Sequence, residues 1–581
     1  MMSDEPQQNG KCLLKMQIGP VQEFIAQARS TRDLWSGSYL LSWLMAAGLR
    51  ALEAQGANII YPVWQEQPLR TLLARDATEL EKCTIPNLPN VLLASVLQPD
   101  PKALALAVEK AIRAEWLTIA NAVWEFCHDS GVILANRDRY QAQVGHFLSI
   151  AWQITPWEPQ FSGDWGAWTQ ANGHQLASVR QTHAFNAWNS GGWHAAKANN
   201  KDSLNGRDEA VAGGPRWRKE LPAQLKPFFK HEDWIGAITL IKRLWHVGYL
   251  PKWGFKKDHF KMPSTVGIAS HDPFATQAIH DEDEEPKNDD LAGQDTYFAV
   301  LAFDGDKMGE RIHQLRSPGE HTAFSQKLGI FALHEVSPIV VRHQGRIIYA
   351  GGDDVLALLP ADMALNCGEA LQKAFQKATG CTASAGIAFA HCQNPLQDVV
   401  RAAQAAEQRA KRSPETGGLG RSAVAITLFK RSGETVEWGC QWAGGGLKLF
   451  GALTEALASQ KLSAKFTYAL IELLRPYRMA STPLMEQGES VKAANGFKVA
   501  EVIGREFAHT LGRQHGPKFP KDKDQQESLG EQLTSALEDY LSTLKSHSID
   551  RQLQDVIGLC QTVAFAPAQN QAKNRNGKGS S

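Results

Sequence analysis

The sequence lacks an excess of charge of either sign: 61 Lys and Arg stand against 61 Asp and Glu in 581 residues. That excludes a free-standing, strongly basic nucleic-acid binder and leaves only local patches for such contacts. No apolar run approaches the ~18 residues of a membrane span, so no membrane is expected. The opening MMSDEPQQNGK has neither the basic nor the apolar region of a signal peptide. Cysteine is sparse, with 8 copies and no CxxC pair. A disulfide framework is thereby excluded, as is a zinc site built from adjacent thiolate pairs, and a reducing, cytoplasmic setting is expected. Tryptophan, in contrast, is abundant: of 17 copies, Trp124, Trp152, Trp157, Trp165, Trp168, Trp188 and Trp193 fall within 70 residues. Such rings either fill core beneath loops, the plainer reading, or form a stacking surface for bases.

Punctuation and periodicity divide the chain. The acidic run DEDEEPKNDD (281–290) reads as a solvated linker, and APAQNQAKNRNGKGSS (566–581) as a disordered tail. After the linker, TYFAVLAF (296–303), RIIYA (346–350), VLALLP (355–360), ASAGIAFA (383–390) and AVAITLFK (423–430) read as strands. Helices are predicted through 306–342, 361–378 and 396–411. The order βαββαβ plus an extra strand is a ferredoxin-like palm. A fainter copy precedes it: strands 13–19, 58–62, 91–96 and 147–152, with helices after 20 and over 101–127. NIIYP aligns with RIIYA, which points to an internal duplication at an offset of about 290 residues. The expected fold class is α+β, with a first palm over 12–160, a middle domain over 161–290, a second palm over 291–435 and a C-terminal helical domain over 436–565.

The chemistry gathers at two strand ends of the second palm. AVLAF runs into Asp304-Gly305-Asp306, and RIIYA into Gly351-Gly352-Asp353-Asp354. Neighbouring strands of a palm bring Asp304 beside Asp353, and closely placed carboxylates call for a divalent cation. Hard oxygen donors suit Mg²⁺ or Mn²⁺, with the Gly305 carbonyl free to join Asp304 and Asp353. Gly351 and Gly352 permit a tight hairpin and let a triphosphate approach the backbone. Metal ions so held serve nucleotidyl transfer. GGDD alone is also an ordinary solvated turn; DGD on the preceding strand favours catalysis by Asp304, Asp353 and Asp354. Ser384 and Lys411 are candidate nucleotide contacts, with a buried serine and a helix-terminal lysine as the plain alternatives.

At these residues the chain resembles the large polymerase/cyclase subunit of type III-B CRISPR effector (Cmr) complexes, the CRISPR-associated protein ten family. The resemblance is carried by IGPVQEFIAQARSTRDLWSGSYLLS (18–42), IPNLPN (85–90), GAITLIKRLW (236–245), MPSTVGIA (262–269), YFAVLAFDGDKMGE (297–310), YAGGDDVLAL (349–358), SAGIAFAH (384–391), AAQAAEQRAK (402–411) and LFKRSGE (428–434). It implies two palms of the nucleotide-cyclase kind that bind two ATP molecules between them. On recognition of target RNA they join ATP into cyclic oligoadenylate messengers. It also implies partners: the small helical and backbone Cmr subunits, crRNA and target RNA. The first palm lacks both acidic motifs and would bind ATP without catalysing, with Arg29, Arg32, Ser36 and Ser38 as candidates for its pocket.

Two departures qualify the resemblance. Only about 12 residues precede the first strand, which leaves no room for the HD nuclease domain many relatives carry; the pairs His128-Asp129, His271-Asp272 and His280-Asp281 are scattered. In KDSLNGRDEA (201–210), Asp202 and Asn205 stand where the family's zinc-binding cysteines would be, which speaks against structural zinc. The stretch 216–262 has eleven Lys or Arg against four acids, interleaved with Trp217, Trp234, Trp245 and Trp253. It reads as a solvated basic face, or as one turned to RNA or a neighbouring subunit. Three activities share these features: an RNA-activated oligoadenylate synthase, ligation of ATP to another acceptor such as S-adenosylmethionine or synthesis of a different cyclic dinucleotide, and a catalytically silent scaffold of the crRNA complex.

Overall fold

The computed structural model describes residues 11–97, 99–134, 137–181, 200–230, 232–271, 296–481, 498–545 and 547–576. The acidic run 281–290, Trp188, Trp193, Asp272 and the pair His280-Asp281 lie outside these residues.

The first palm begins with strand β1, Cys12–Gly19, and helix α1, Thr31–Ala54, which Ser30 caps by accepting a hydrogen bond from the Asp33 amide at 3.1 Å. Strands β2, Asn58–Tyr61, and β3, Val91–Val96, follow. Helix α2, Pro101–Asp129, has Asp100 as its cap and Pro101 at its first position. Helix α3, Arg137–Phe147, then leads into β4, Ser149–Pro156. The sheet order is β2-β3-β1-β4, all antiparallel, which is the ferredoxin-like arrangement expected.

The segment after β4 packs against the palms at several points. Helix α4, Trp165–Gln181, lies on β1 and β4 of the first palm. A two-residue ribbon joins β5, Ala212–Gly213, to β6, Trp234–Ile235. Helix α5, Ala237–Gly248, packs on α1 and α2, with Trp245 against Tyr39 and Trp43 at ring distances of 5.3 and 6.1 Å. The reason is apolar: Ile238, Leu240, Ile241, Leu244 and Trp245 are buried in one core with Leu40, Leu44 and Val123. Trp217 and Trp245 are likewise buried, and Arg75 covers Trp253 at 3.9 Å. The basic stretch 216–262 thus offers no row of open rings among the described residues, and its Lys242 and Arg243 are interior.

The second palm starts with β7, Tyr297–Gly305. Helix α6, Pro318–Ile330, continues through a π-turn at Phe331–Glu335 to Arg342. The widened turn accommodates Pro338, which cannot donate to the helical ladder. Strands β8, Arg346–Gly351, and β9, Asp354–Pro360, form the hairpin; helix α7, Ala364–Thr379, strand β10, Ala383–His391, and helix α8, Leu396–Lys411, follow. Strand β11, Ala423–Phe429, lies parallel to β10, and β12, Thr435–Gln441, pairs antiparallel with β11. The order is β12-β11-β10-β7-β9-β8, so this sheet runs past the expected boundary at 435.

The duplication extends to a detail. A bulge falls at Ile60 of β2, between Ile59 and Tyr61, and at Ile348 of β8, between Ile347 and Tyr349. Among the described residues five C-terminal helices follow: α9, Gly445–Ala458; α10, Phe466–Ser481; α11, Val499–Leu511; α12, Lys523–Thr543; and α13, Ile549–Asn576. They bury β12, where Trp438 Nε1 donates to the Tyr540 hydroxyl at 3.0 Å. Helix α13 runs to Asn576, into the segment expected as a tail. Among the described residues no helix is long and apolar enough to cross a membrane.

Candidate active site

Strand alternation decides which way the acids point. On β7, Phe298, Val300 and Ala302 belong to the core shared with the first palm, and Asp304 continues that parity. On β9, Leu356 and Leu358 face the same core, and Asp354 continues theirs. Asp304 and Asp354 are direct register partners, so their carboxylates share one face. Asp353 occupies the hairpin turn, and its carbonyl accepts the Gly305 amide at 3.1 Å. Gly352 has φ +75°, the conformation such a two-residue turn requires.

The acids hold one another's protons. Burial, and then the Asp304 charge, pushes Asp353 up to about 7. Asp354 keeps solvent access yet is ringed by protein, and burial followed by the charges of Asp304 and Asp353 pushes it well above the carboxylate range. Asp304 is raised by burial, with Lys411 opposing. The third acid of the motif, Asp306, is an interior strut. It accepts from Thr382 Oγ1 and Ser384 Oγ at 2.8 Å and from the Ser422 amide at 2.9 Å.

Several expected contacts are therefore corrected. Ser384 is fully buried and committed to Asp306, so it does not face a nucleotide. Lys411 Nζ bonds Asp304 Oδ2, lies 3.2 Å from the Gly305 carbonyl and pairs with Glu407 Oε1 at 3.2 Å. The Gly305 carbonyl expected to be free is thus already engaged. The space beside the hairpin glycines is also taken: a Cβ at Gly351 would meet the Tyr349 hydroxyl at 1.9 Å, and one at Gly352 the Tyr61 hydroxyl at 3.0 Å. Ser36 is buried, donating to the Lys242 carbonyl and accepting from Trp245 Nε1 at 2.8 Å, and Ser38 bonds the Leu34 carbonyl at 3.2 Å. Arg29 pairs with Asp233, and Arg32 lies over the Phe228 ring at 5.1 Å. Arg29, Arg32 and Ser36 fasten the segment around α5 to the first palm, whereas Ser38 bonds within its own helix, because buried polar groups must find partners.

Residues with no sequence motif complete the site. Tyr61 of the first palm and Tyr349 of the second stand by the same turn; burial and the nearby aspartates push both hydroxyls well above their usual pKa. Glu407 reaches the site because Gly386 has no side chain: a Cβ there would lie 2.1 Å from the Ala403 carbonyl and the Glu407 amide of α8. At the seam between the palms, Tyr61, Pro62, Gln67, Asn87, Ser325 and Gly352 are among the residues lining a cavity of about 10 Å³, the space of one water. Gln67 Oε1, Asn87 Oδ1 and Ser325 Oγ are buried there without a hydrogen-bond partner.

Whether the acids suit a divalent cation can be tested on the site itself. Among the described residues no three His, Cys, Asp or Glu side chains gather as a ready ligand cage. Two carboxylates and a carbonyl nonetheless suit a hydrated hard cation, which keeps several waters. The Lys411 ammonium, on Asp304 and the Gly305 carbonyl, occupies such a position as a stand-in charge. In 201–210, Asp202 accepts the Leu204, Asn205 and Gly236 amides at 2.8, 2.9 and 2.6 Å, and Asn205 donates to Asp208 at 2.8 Å. Hydrogen bonds thus close the loop that cysteines and zinc would close.

The chain matches family models over both palms: Cas10/Cmr2, second palm domain, over residues 297–419, and CRISPR-associated protein Cmr2, N-terminal, over 13–121. The CRISPR system Cmr subunit Cmr2 of Pyrococcus furiosus is 26% identical over 556 residues, covering 72% of this chain and 62% of that protein. The chain therefore spans less than two thirds of that relative's length. In fold it is similar to a chain of the type III-B Cmr-beta complex, in the apo state and bound to cognate target RNA. The TM-scores are 0.61 and 0.62 at 12% identity, covering 92% of this chain and 82% and 83% of those chains. With both stretches matched and the GGDD hairpin seated on the seam between the palms, the chain carries the second palm domain of Cas10/Cmr2 and the N-terminal domain of Cmr2.

Proposed function

We propose that this chain is the RNA-activated nucleotidyltransferase of a type III-B CRISPR effector complex, working in the cytoplasm and converting ATP to cyclic oligoadenylates. In each step a 3′-hydroxyl oxygen attacks an α-phosphorus, one phosphodiester bond forms and pyrophosphate leaves. The observation that carries the reading is the register pairing of Asp304 with Asp354, with Asp353 in the adjoining turn, on the face turned to the first palm.

Asp304, Asp353 and the Gly305 carbonyl would hold a Mg²⁺ or Mn²⁺ ion, whose charge would acidify the hydroxyl and offset the pyrophosphate. Asp354, opposite Asp304, adds a further carboxyl to the site, and Lys411 is within reach of a triphosphate once it leaves Asp304. Gln67, Asn87 and Ser325 present unpaired amide and hydroxyl groups of the kind that read an adenine edge, and the seam must part for a base to enter. Tyr61 places the first palm against the catalytic hairpin. The partners in this reading are crRNA, target RNA and the small helical and backbone Cmr subunits.

The test is the reconstituted complex with target RNA, ATP and Mg²⁺ or Mn²⁺, with products resolved by mass. Asp353→Ala/Asp354→Ala is expected to abolish product while assembly is retained; undiminished product would overturn the assignment. A silent scaffold is the second reading, favoured by the Lys411–Asp304 ion pair, and it requires that the parent complex make no product either.

A further inference from the structure

The last turn of α8 brings two side chains of opposite charge to the acids. Lys411 is one-fifth exposed, Glu407 one-seventh, and they are one helical turn apart. Lys411 Nζ is shared among Asp304 Oδ2, the Gly305 carbonyl and Glu407 Oε1. Two of these three acceptors are atoms assigned above to a divalent cation. An ammonium and a divalent ion cannot occupy the same acceptors, because both desolvation and like-charge repulsion oppose it. The third acceptor, Glu407, lies outside that donor set and is carried by the same helix as the lysine. The helix cannot drift away, since Gly386 allows its backbone to lie directly on β10.

We infer that Lys411 is a built-in counter-cation that competes with the divalent ion for Asp304, and that Glu407 is the positioning residue that receives Lys411 when the ion binds. Without the ion, the lysine neutralises the strand-end acids. With it, Lys411 swings onto Glu407 by side-chain rotation alone, its stem still rooted in α8. Its ammonium then lies beside the ion rather than on it, where a phosphate can take it up. Entry of the cation and delivery of the phosphate-binding lysine become one linked event.

This inference rests on the cation reading of Asp304, but its test reads ion binding rather than product. Mn²⁺ binding to the full-length chain, without nucleotide, is followed by electron paramagnetic resonance and calorimetry. Lys411→Met is expected to bind Mn²⁺ about tenfold more tightly than the parent, since the competing charge is gone. Lys411→Arg, which keeps a cation, is expected to show no such gain. Glu407→Gln is expected to weaken Mn²⁺ binding about fivefold in the parent and less than about twofold in Lys411→Met. That loss of coupling separates a residue acting through Lys411 from one that merely adds negative charge, which would weaken binding equally in both backgrounds. Equal Mn²⁺ affinity in the parent and Lys411→Met, or an undiminished Glu407→Gln effect in Lys411→Met, overturns the inference and leaves the nucleotidyltransferase reading standing. Absence of Mn²⁺ binding in every variant overturns both. Should Lys411→Met fail to fold, as judged by circular dichroism, Lys411→Gln carries the same expectations.

Discussion

The first and second palms share a strand order, a bulge before the same tyrosine and a helix-covered face, yet only one carries acids at its strand ends. In the first, β1 and β2 run into Gly19-Pro20 and Tyr61-Pro62, which offer no carboxylate and, at proline, no N–H. In the second, the matching ends carry Asp304, Asp353 and Asp354. The first palm instead buries its polar residues in packing, with Ser36, Arg29 and Arg32 tying down the segment around α5. One copy of the unit is thus built for packing and the other keeps a cluster of acids that Lys411 offsets only in part. Clustered acids cost stability, so they mark the copy where stability has been exchanged for chemistry.

The sharpest way to break this contrast is to remove one polar group from each palm. Asp304→Asn is expected to lower product formation by the reconstituted complex by about a hundredfold or more. Tyr61→Phe, on the first-palm side of the same hairpin, is expected to cost less than about tenfold. Equal losses would make the first palm a chemical participant rather than a wall.

A smaller effect should separate two close approaches. A Cβ at Gly386 meets helix backbone at 2.1 Å, whereas one at Gly37 meets at 2.6 Å the Cε of Lys242, a buried side chain whose Nζ donates to the Phe24, Ile25 and Gln27 carbonyls. Gly386→Ala is expected to destabilise by about 1–3 kcal/mol in urea unfolding, and Gly37→Ala by less.

The smallest contrast is between two buried histidines. Burial, then the Arg32 charge, pulls His246 against the first palm down to about 3. Burial, then Lys15, pulls His321 of the second palm down to about 4, and Trp165 Nε1 donates to its Nδ1 at 3.3 Å. Between the ordinary histidine value and these, the unfolded chain binds protons that the folded chain does not. Stability therefore rises with pH through that window and is lost as pH falls from about 6.5 toward 4, by an expected ~3 kcal/mol for His321. His321→Gln should flatten the urea midpoint over this range more than substitution of an exposed histidine such as His128.

Much of the fold was legible locally. The strand Val91–Val96 and the helix Leu396–Lys411 fall where a short apolar run and an Ala-rich 3.6-residue period put them. Strand β12 alternates Val436, Trp438 and Cys440 with small or polar residues, but it falls beyond the expected palm boundary, and only its pairing with β11 joins it to the sheet. The site was legible where it is acidic. Tyr61 and Tyr349 had a signal, since they align within NIIYP and RIIYA, but nothing local says that both hydroxyls converge on one turn. Glu407, four residues before Lys411 on α8, could have been found as its helical neighbour. Gln67, Asn87 and Ser325 had no signal, because they meet only when two palms close on each other.

The sequence by itself determined the two palms, their strand order and the three aspartates, since alternation, glycine turns and charge are written in neighbouring residues. Only the tertiary structure decided that Ser384 braces Asp306, that Lys411 rests on Asp304, and that α5 packs into the first palm's core. Those outcomes depend on which apolar faces find each other across hundreds of residues, and burial then dictates which polar groups must pair.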